Sequence, residues 1–576
     1  MSQQTSVNPD QRSVVSALRE RPQADVLIIG AGINGIATFW DLALQGVDAV
    51  IVDKGDFVSG ASAASSHMIH GGIRYLENGE FRLVRESVEE RNGLIRTAPH
   101  YVKPLHTTVP IFSTFSGVMS APLKFLTHKS GKPTERGAAL IKIGLSFYDA
   151  FSGGGGGTVP RHEFRGRKSS LHRLPRLNPG IKYTATYYDA SMHDPERLAL
   201  DVLHDGLEAQ AAGRAANYVE AVGSADGAVI LRDVLTGEEF PFTAKAIVNT
   251  SGPWTDLTNE ALGTPSRYMG GTKGSHIVVD NPELLAATGG GEIFFENNDG
   301  RIVLIYPLKG KVMIGTTDLE HDMHDPIRCT EEEVDYFFEL VSHVFPDIRV
   351  DRSQIVFRFS GVRPLPRHDA SSPGSVSRDY AIERGTLAGT AVPALSLVGG
   401  KWTTFRALAE HLSTEVLGLL GRTRTESTEG REIGGGRDFP VTGSALTVWL
   451  GEHAGPVGRE RAELLLERYG TRAEQIIAEL GDDTPLVEAP EYSAEEIAWL
   501  AEHEQVARLD DLVLRRTSLA FTGKVTTALL RELLAVAAPL LGWDDARADA
   551  ELTRAIQLLN DRHGLDLDAA VSSTTY

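Results

Sequence analysis

Gly30-Ala-Gly32-Ile-Asn34-Gly35 is the first stretch of this chain whose residue types and spacing specify chemistry. Glycines at these offsets let the backbone turn tightly, approach a pyrophosphate and pack a helix onto a sheet. The N–H groups opening that helix then face the phosphates, with Asn34 inside the turn. Asp53, 23 residues after Gly30, offers a carboxylate to an adenosine ribose, with Lys54 beside it. Ser62, Ser65 and Ser66 follow in a small-residue loop suited to close contact with a bound dinucleotide. These residues imply dinucleotide binding without separating NAD from FAD.

Further along, Gly252 follows an apolar strand over 246–249, as a second turn near the cofactor requires. Gly399 and Gly400 end a strand over 395–398 and precede a helix over about 403–420. The N-terminus of that helix, with Thr403 and Thr404, can stabilise negative charge developing on a cofactor. Arg363 sits before Pro364, whose ring fixes the local chain, and its planar guanidinium suits bidentate phosphate contact. Histidine, with an unperturbed pKa near 6.5, is the natural candidate for a base. His321, Asp322, His324 and Asp325 form a hydrophilic cluster without a helical or paired-Cys frame; an exposed loop is expected there and no metal site.

These groups need elements to hold them. A short apolar strand over 25–29, a helical stretch to Leu44 and a strand over 49–52 frame the glycine turn, which is the start of a doubly wound α/β fold. Helical patterns over 459–468, 494–504 and 526–541 close the chain. The expected division is a polar segment over 1–22, an α/β body over 23–425, a linker over 426–438, a helical domain over 439–565 and a tail over 566–576.

The net charge of −20 argues against a general nucleic-acid binder. Its distribution is uneven: residues 101–182 hold 13 basic against 3 acidic side chains, a net of +10, whereas 441–576 hold 12 against 24, a net of −12. Apolar residues such as Phe112, Phe115 and Phe125 lie within the basic block, and that mixture suits an anionic lipid surface. Gly153 to Gly157 are consecutive and read as a flexible loop. The one cysteine, Cys329, excludes an intramolecular disulfide and fits a reducing cytosol. No apolar leader is visible at the N-terminus, and no run matches the roughly 20 apolar residues of a spanning helix.

The run Ser59-Gly-Ala-Ser-Ala-Ala-Ser-Ser-His-Met-Ile-His-Gly-Gly-Ile-Arg-Tyr-Leu-Glu77 resembles the flavin-dependent glycerol-3-phosphate dehydrogenases. Asn249-Thr-Ser-Gly-Pro-Trp-Thr-Asp256, Lys273-Gly-Ser-His-Ile277, Gly315-Thr-Thr-Asp318, Ser360-Gly-Val-Arg-Pro-Leu365, Ser377-Arg-Asp-Tyr380 and Gly399-Gly-Lys-Trp-Thr-Thr404 continue the resemblance. Glu502-His-Glu504 and Leu514-Arg-Arg-Thr517 extend it into the helical region.

The resemblance implies FAD, held in a Rossmann-like domain, with a mixed-sheet substrate domain of the D-amino-acid-oxidase type and a C-terminal all-α cap. It implies oxidation of sn-glycerol 3-phosphate to dihydroxyacetone phosphate, with electrons passed to a membrane quinone. Arg74, Tyr75, Thr316, Arg363 and Lys401 become candidates for substrate contact, Arg74, Arg363 and Lys401 also for catalysis, and Lys401 also for the cofactor. His276 and His70 are the candidates for the base. A cytoplasmic protein attached peripherally to the inner face of the cell membrane is expected, with a homodimer left open. Two features depart from the pattern: a long basic insertion around 111–180, and Trp402 where many relatives carry a smaller residue. An oxidase using oxygen, an amine oxidase on the same fold and a non-catalytic flavin scaffold are the alternatives.

Overall fold

The computed structural model describes residues 12–72, 81–112, 145, 159–296, 302–367 and 379–568. Arg74, Tyr75, Arg378, the glycine run 153–157, most of the basic insertion and the outer parts of both termini lie outside the described residues.

The first sheet runs Ala381–Thr386, Pro393–Val398, Glu239–Asn249, Gln23–Ile29, Ala49–Val52, Arg214–Ala216. The inner strands are parallel, with Val26 opposite Ala49 and Ile29 opposite Asn249. Parallel strands covered on both faces read as unbroken apolar runs, which is why 25–29 shows no alternation in sequence. In space the alternation is there. Val26, Ile28 and Ile51 pack under the helices Ile33–Leu44, Pro195–Ala209 and Phe405–Leu419, while Leu27, Ile29 and Val50 meet Phe240 and Phe242 on the opposite side.

The second sheet is mixed, in the order Leu319–Glu320, Thr272–Val279, Lys311–Gly315, Ile302–Leu308, Glu292–Glu296, Val102–Ile111, Tyr183–Met192, Met68–Ile69. Ile355–Val362 pairs antiparallel along Thr272–Val279. Successive side chains of a strand point to opposite faces. Ile277, Val279, Ile305 and Ile314 therefore cover the helix Glu331–Val344, and Val278, Tyr306, Met313, Phe357 and Phe359 face the C-terminal helices.

Those helices include Arg459–Tyr469, Ala494–His503 and Thr527–Leu540, close to the bounds expected from periodicity, and Asp545–His563, which that pattern did not single out. Leu465, Leu500, Leu529, Leu533 and Leu559 form their buried centre, each contributing about 1.5–3 kcal/mol by leaving water. Within the segment expected as a linker, Gly434–Gly436 is buried and ties back to the body, the Gly434 N–H donating to Asp205 at 2.9 Å.

Candidate active site

The glycine turn is shaped by contacts that admit no side chain. Gly30 has a φ of +106°, and a Cβ there would fall 2.6 Å from Ser251 Cα; one on Gly35 would fall 2.0 Å from the Gly30 carbonyl oxygen. Gly32 gives the following helix no side-chain cap, and the Ser62 hydroxyl accepts from the Ile33 N–H at 3.0 Å. Asp53 accepts the N–H groups of Ala31 (2.7 Å) and Gly55 (2.9 Å). Burial pushes its carboxyl up to about 6 against the pull of those two donors. The Lys54 ammonium lies 4.7 Å from the centre of the Trp254 ring.

A cavity of about 890 Å³ opens over this turn, with Gly30, Asn34, Asp53, Ser62, Gly252 and Gly399 on its wall. That volume is within the range of cofactor sites, roughly 300–1,000 Å³. Buried Asn34 Oδ1 and Thr404 Oγ1 have no hydrogen-bond partner among the described residues. The donor set fits a dinucleotide: the N–H groups at the Gly30–Gly32 turn suit a pyrophosphate and the Asp53 carboxylate suits a ribose. Trp402 ties the turn after Gly400 to the serine loop through Nε1–H to the Ser62 carbonyl (3.0 Å), and the Thr403 hydroxyl donates to the His70 carbonyl (3.2 Å).

Beyond that loop, the second sheet contributes side chains. His276 is 2% exposed, its Nε2 lies 2.9 Å from Ser66 Oγ, and its ring stacks on Phe359 at 4.8 Å. Its Nδ1 is buried without a partner among the described residues. Burial, the nearby Arg363 charge and His67 hold its pKa well below the ordinary histidine value. Arg363 donates to Asp318 (3.1 Å), the Thr316 hydroxyl (2.9 Å) and the Thr317 carbonyl (3.1 Å). Two glycines make room: a Cβ on Gly274 would stand 2.3 Å from the Arg363 guanidinium, and one on Gly315 would stand 2.1 Å from the His276 ring.

The reverse face of the same strands carries a brace absent from the sequence reading. Glu333, 3% exposed, accepts from Lys273 Nζ (2.8 Å), the Ser275 hydroxyl (2.8 Å) and the Thr317 hydroxyl (2.6 Å). Ser275 in turn meets Ser360 at 2.7 Å. Burial opposes ionisation of Glu333, but these donors and the Thr330 N–H overcome it and hold its pKa below the usual value. Alternation along Thr272–Val279 thus sends Gly274 and His276 to one face, beside Arg363, and Lys273 and Ser275 to the other, where they share a carboxylate with Thr317 from the turn after Lys311–Gly315. The Thr330 and Glu333 capping box marks a helix start in the sequence. It does not reveal which strands that helix covers.

His276, Ser66, Arg363 and Thr316 are therefore brought together. Lys401 is drawn toward the helix Phe81–Thr97, its Nζ donating to Ser87 Oγ at 3.2 Å. Ser65 is occupied locally, accepting the His67 N–H at 3.2 Å. The loop at His70 is pinned by the Gly71 N–H donating to Asp189 at 2.9 Å. Asp379 pairs with Arg82. His321, Asp322, His324 and Asp325 do not form a metal-binding cluster among the described residues.

Residues 25–404 match the family described as FAD dependent oxidoreductase, and residues 394–548 match the C-terminal domain of alpha-glycerophosphate oxidase. The chain is 34% identical to a glycerol-3-phosphate dehydrogenase of Synechocystis, over 92% of this chain and 95% of that protein. It is 32% identical to the aerobic glycerol-3-phosphate dehydrogenase of Escherichia coli, over 86% and 93%. A D-erythritol 1-phosphate dehydrogenase of Brucella abortus is 30% identical over 87% and 95%. In fold, it resembles the structure of a glycerol-3-phosphate dehydrogenase from Bacillus halodurans complexed with FAD, with a TM-score of 0.72, 23% identity and coverage of 95% and 97%.

Proposed function

The chain belongs to the FAD-dependent glycerol-3-phosphate dehydrogenases, and from that premise we propose how its residues divide the oxidation of sn-glycerol 3-phosphate to dihydroxyacetone phosphate. Bound FAD would supply the hydride acceptor for C2 of the substrate, and the residues of this chain would supply position and charge. Gly30, Gly32, Asn34, Gly35 and Asp53 hold its adenosine and pyrophosphate half, with Lys54 and Gly252 on the cavity wall. Ser62, Ser65, Ser66, Gly399, Gly400, Thr403 and Thr404 shape the path toward the reacting ring.

Arg363 binds the substrate phosphate. Asp318 and Thr316 fix its guanidinium, so little orientation is lost when the anion arrives. His276 accepts the proton of the C2 hydroxyl. Its depressed pKa keeps the imidazole neutral at pH 7, the state a base requires. One tautomer leaves no buried N–H without an acceptor: Nε2–H donates to Ser66 Oγ and the lone pair stays on Nδ1. Arg74, Tyr75, Thr316 and Lys401 complete the substrate contacts, and His70 is the rival base.

The electron acceptor is a membrane quinone, reached from a peripheral position on an anionic surface. The supporting observation is the basic block: within it the helix Arg167–Arg173 exposes Arg167, Lys168, His172 and Arg173. Among the described residues no helix is long and apolar enough to cross a membrane.

The juxtaposition of neutral, buried His276 with anchored Arg363 carries the functional reading. Anaerobic addition of glycerol 3-phosphate should bleach the flavin absorbance, and a ubiquinone analogue should restore it faster than oxygen does. Rapid reoxidation by oxygen with no response to quinone would make the protein an oxidase. Stronger bleaching by erythritol 1-phosphate would move the substrate to a four-carbon polyol phosphate, and by sarcosine to an amine.

A further inference from the structure

The turn that begins at the ribose-facing Asp53 is gripped by the C-terminal cap. Asp56, three residues on, is 1% exposed and accepts from Arg516 Nη1 (2.7 Å) and Nη2 (2.9 Å), from Arg515 Nε (2.5 Å) and from Asn217 Nδ2 (2.8 Å). Arg515 and Arg516 end a π-helical turn, Leu512–Arg516, of the cap. Such turns are rare and recur at functional positions. Burial opposes the Asp56 charge, but the two guanidiniums overcome it and hold the carboxyl below its ordinary range.

A second segment bordering Asp53 is held by the same part of the cap. The Val219 N–H donates to the Asp53 carbonyl at 2.7 Å, and the Tyr218 N–H to the Gly55 carbonyl at 2.8 Å. Tyr218 then reaches the cap through its hydroxyl to Asp511 (2.7 Å), and Asn217 through Nδ2 to the Gln505 carbonyl (2.9 Å). Arg515 also pairs with Asp511 at 2.6 Å, so one buried network joins both segments to one stretch of cap. The contact with the cofactor site is direct, since Asp53 in turn holds the Ala31 N–H within the glycine turn.

We propose that Asp56, Arg515 and Arg516 are positioning residues for the cofactor: docking of the cap sets the Asp53 turn in its dinucleotide-binding shape, and bound FAD in turn stabilises the docked cap. The proposal rests on FAD being the resident cofactor and is independent of the substrate assignment. Linkage requires that the two effects be reciprocal.

The test is an FAD titration of apoprotein by flavin fluorescence, paired with hydrogen exchange of residues 504–517 with and without FAD. In the wild type, FAD should slow exchange in that stretch. Asp56→Asn should weaken FAD binding about tenfold or more and abolish the FAD-dependent slowing. Tyr218→Phe, which removes only the hydroxyl contact with Asp511, should shift both in the same direction by less and serves as the test if Asp56→Asn fails to fold. Glu467→Gln removes an exposed cap–body pair with Lys103 that shares no bond with the Asp56 network, and should leave FAD affinity unchanged. FAD-independent exchange in the wild type, or equal loss of affinity in Glu467→Gln and Tyr218→Phe, would overturn the proposal. Neither readout uses glycerol phosphate, so a wrong substrate would leave this test intact.

Discussion

At the C-terminal end of Gln23–Ile29, an inner strand of the first sheet, the backbone shapes the site. Gly30 and Gly35 stand where a Cβ would overlap main chain, and Asp53 spends its carboxylate on two N–H groups. Across the serine loop the second sheet recognises through side chains, and its glycines serve them: Gly274 and Gly315 leave space for a guanidinium and an imidazole. In the first region a side chain at Gly30 or Gly35 would strike main chain, which cannot swing aside. In the second, Glu333 secures the strands from behind, so single changes at His276 or Arg363 are expected to leave the sheet in place. Cofactor binding and substrate chemistry should therefore separate under mutation.

The largest expected effect is at the first region. Gly30→Val forces a side chain into Ser251 at a left-handed φ, and the purified protein should carry no FAD by absorbance. A flavin-loaded Gly30→Val would show that the turn is not the pyrophosphate site. At the second region, His276→Gln should keep FAD and lose on the order of 100- to 10,000-fold in kcat, the usual contribution of a positioned base. The pH profile sharpens this. Because the His276 pKa is lowered, the neutral form persists as pH falls through 6.5, and kcat in the wild type should decline only below that. A midpoint at or above 6.5 would point to a less buried histidine such as His70. The smallest effect belongs to the brace: Thr317→Val removes one hydroxyl donor to Glu333 and should raise the substrate KM a few-fold, about 1 kcal/mol, with FAD affinity unmoved. Loss of FAD in that variant would erase the distinction between the two regions.

Much of the first region was legible because its signal is contiguous. The glycine turn, the helix Ile33–Leu44 and Asp53 fall within a short stretch, and local spacing fixes their relation. Three of the cap helices, Arg459–Tyr469, Ala494–His503 and Thr527–Leu540, were legible from periodicity alone. On the second sheet, motif residues named His276 and Arg363, but their supports depend on strand register. Glu333 meets Lys273 across 60 positions, and Asp56 meets Arg516 across 460. Net charge was a poor guide to the cap. Glu496, Asp511 and Glu551 are buried and paired with Arg461, Arg515 and Arg508, so part of its acidity is internal bonding rather than surface. Lys401, named by motif, meets Ser87 across 314 positions, a contact that local spacing does not announce.

The most direct test of the central claim is an anaerobic titration of flavin absorbance with glycerol 3-phosphate in wild type and Arg363→Ala. Both proteins should carry FAD. The variant should require roughly 100-fold more substrate for half-bleaching, corresponding to about 3 kcal/mol for a lost charge-assisted contact. Equal midpoints, or an Arg363→Ala protein purified without flavin, would contradict the assignment of the phosphate site to the second sheet.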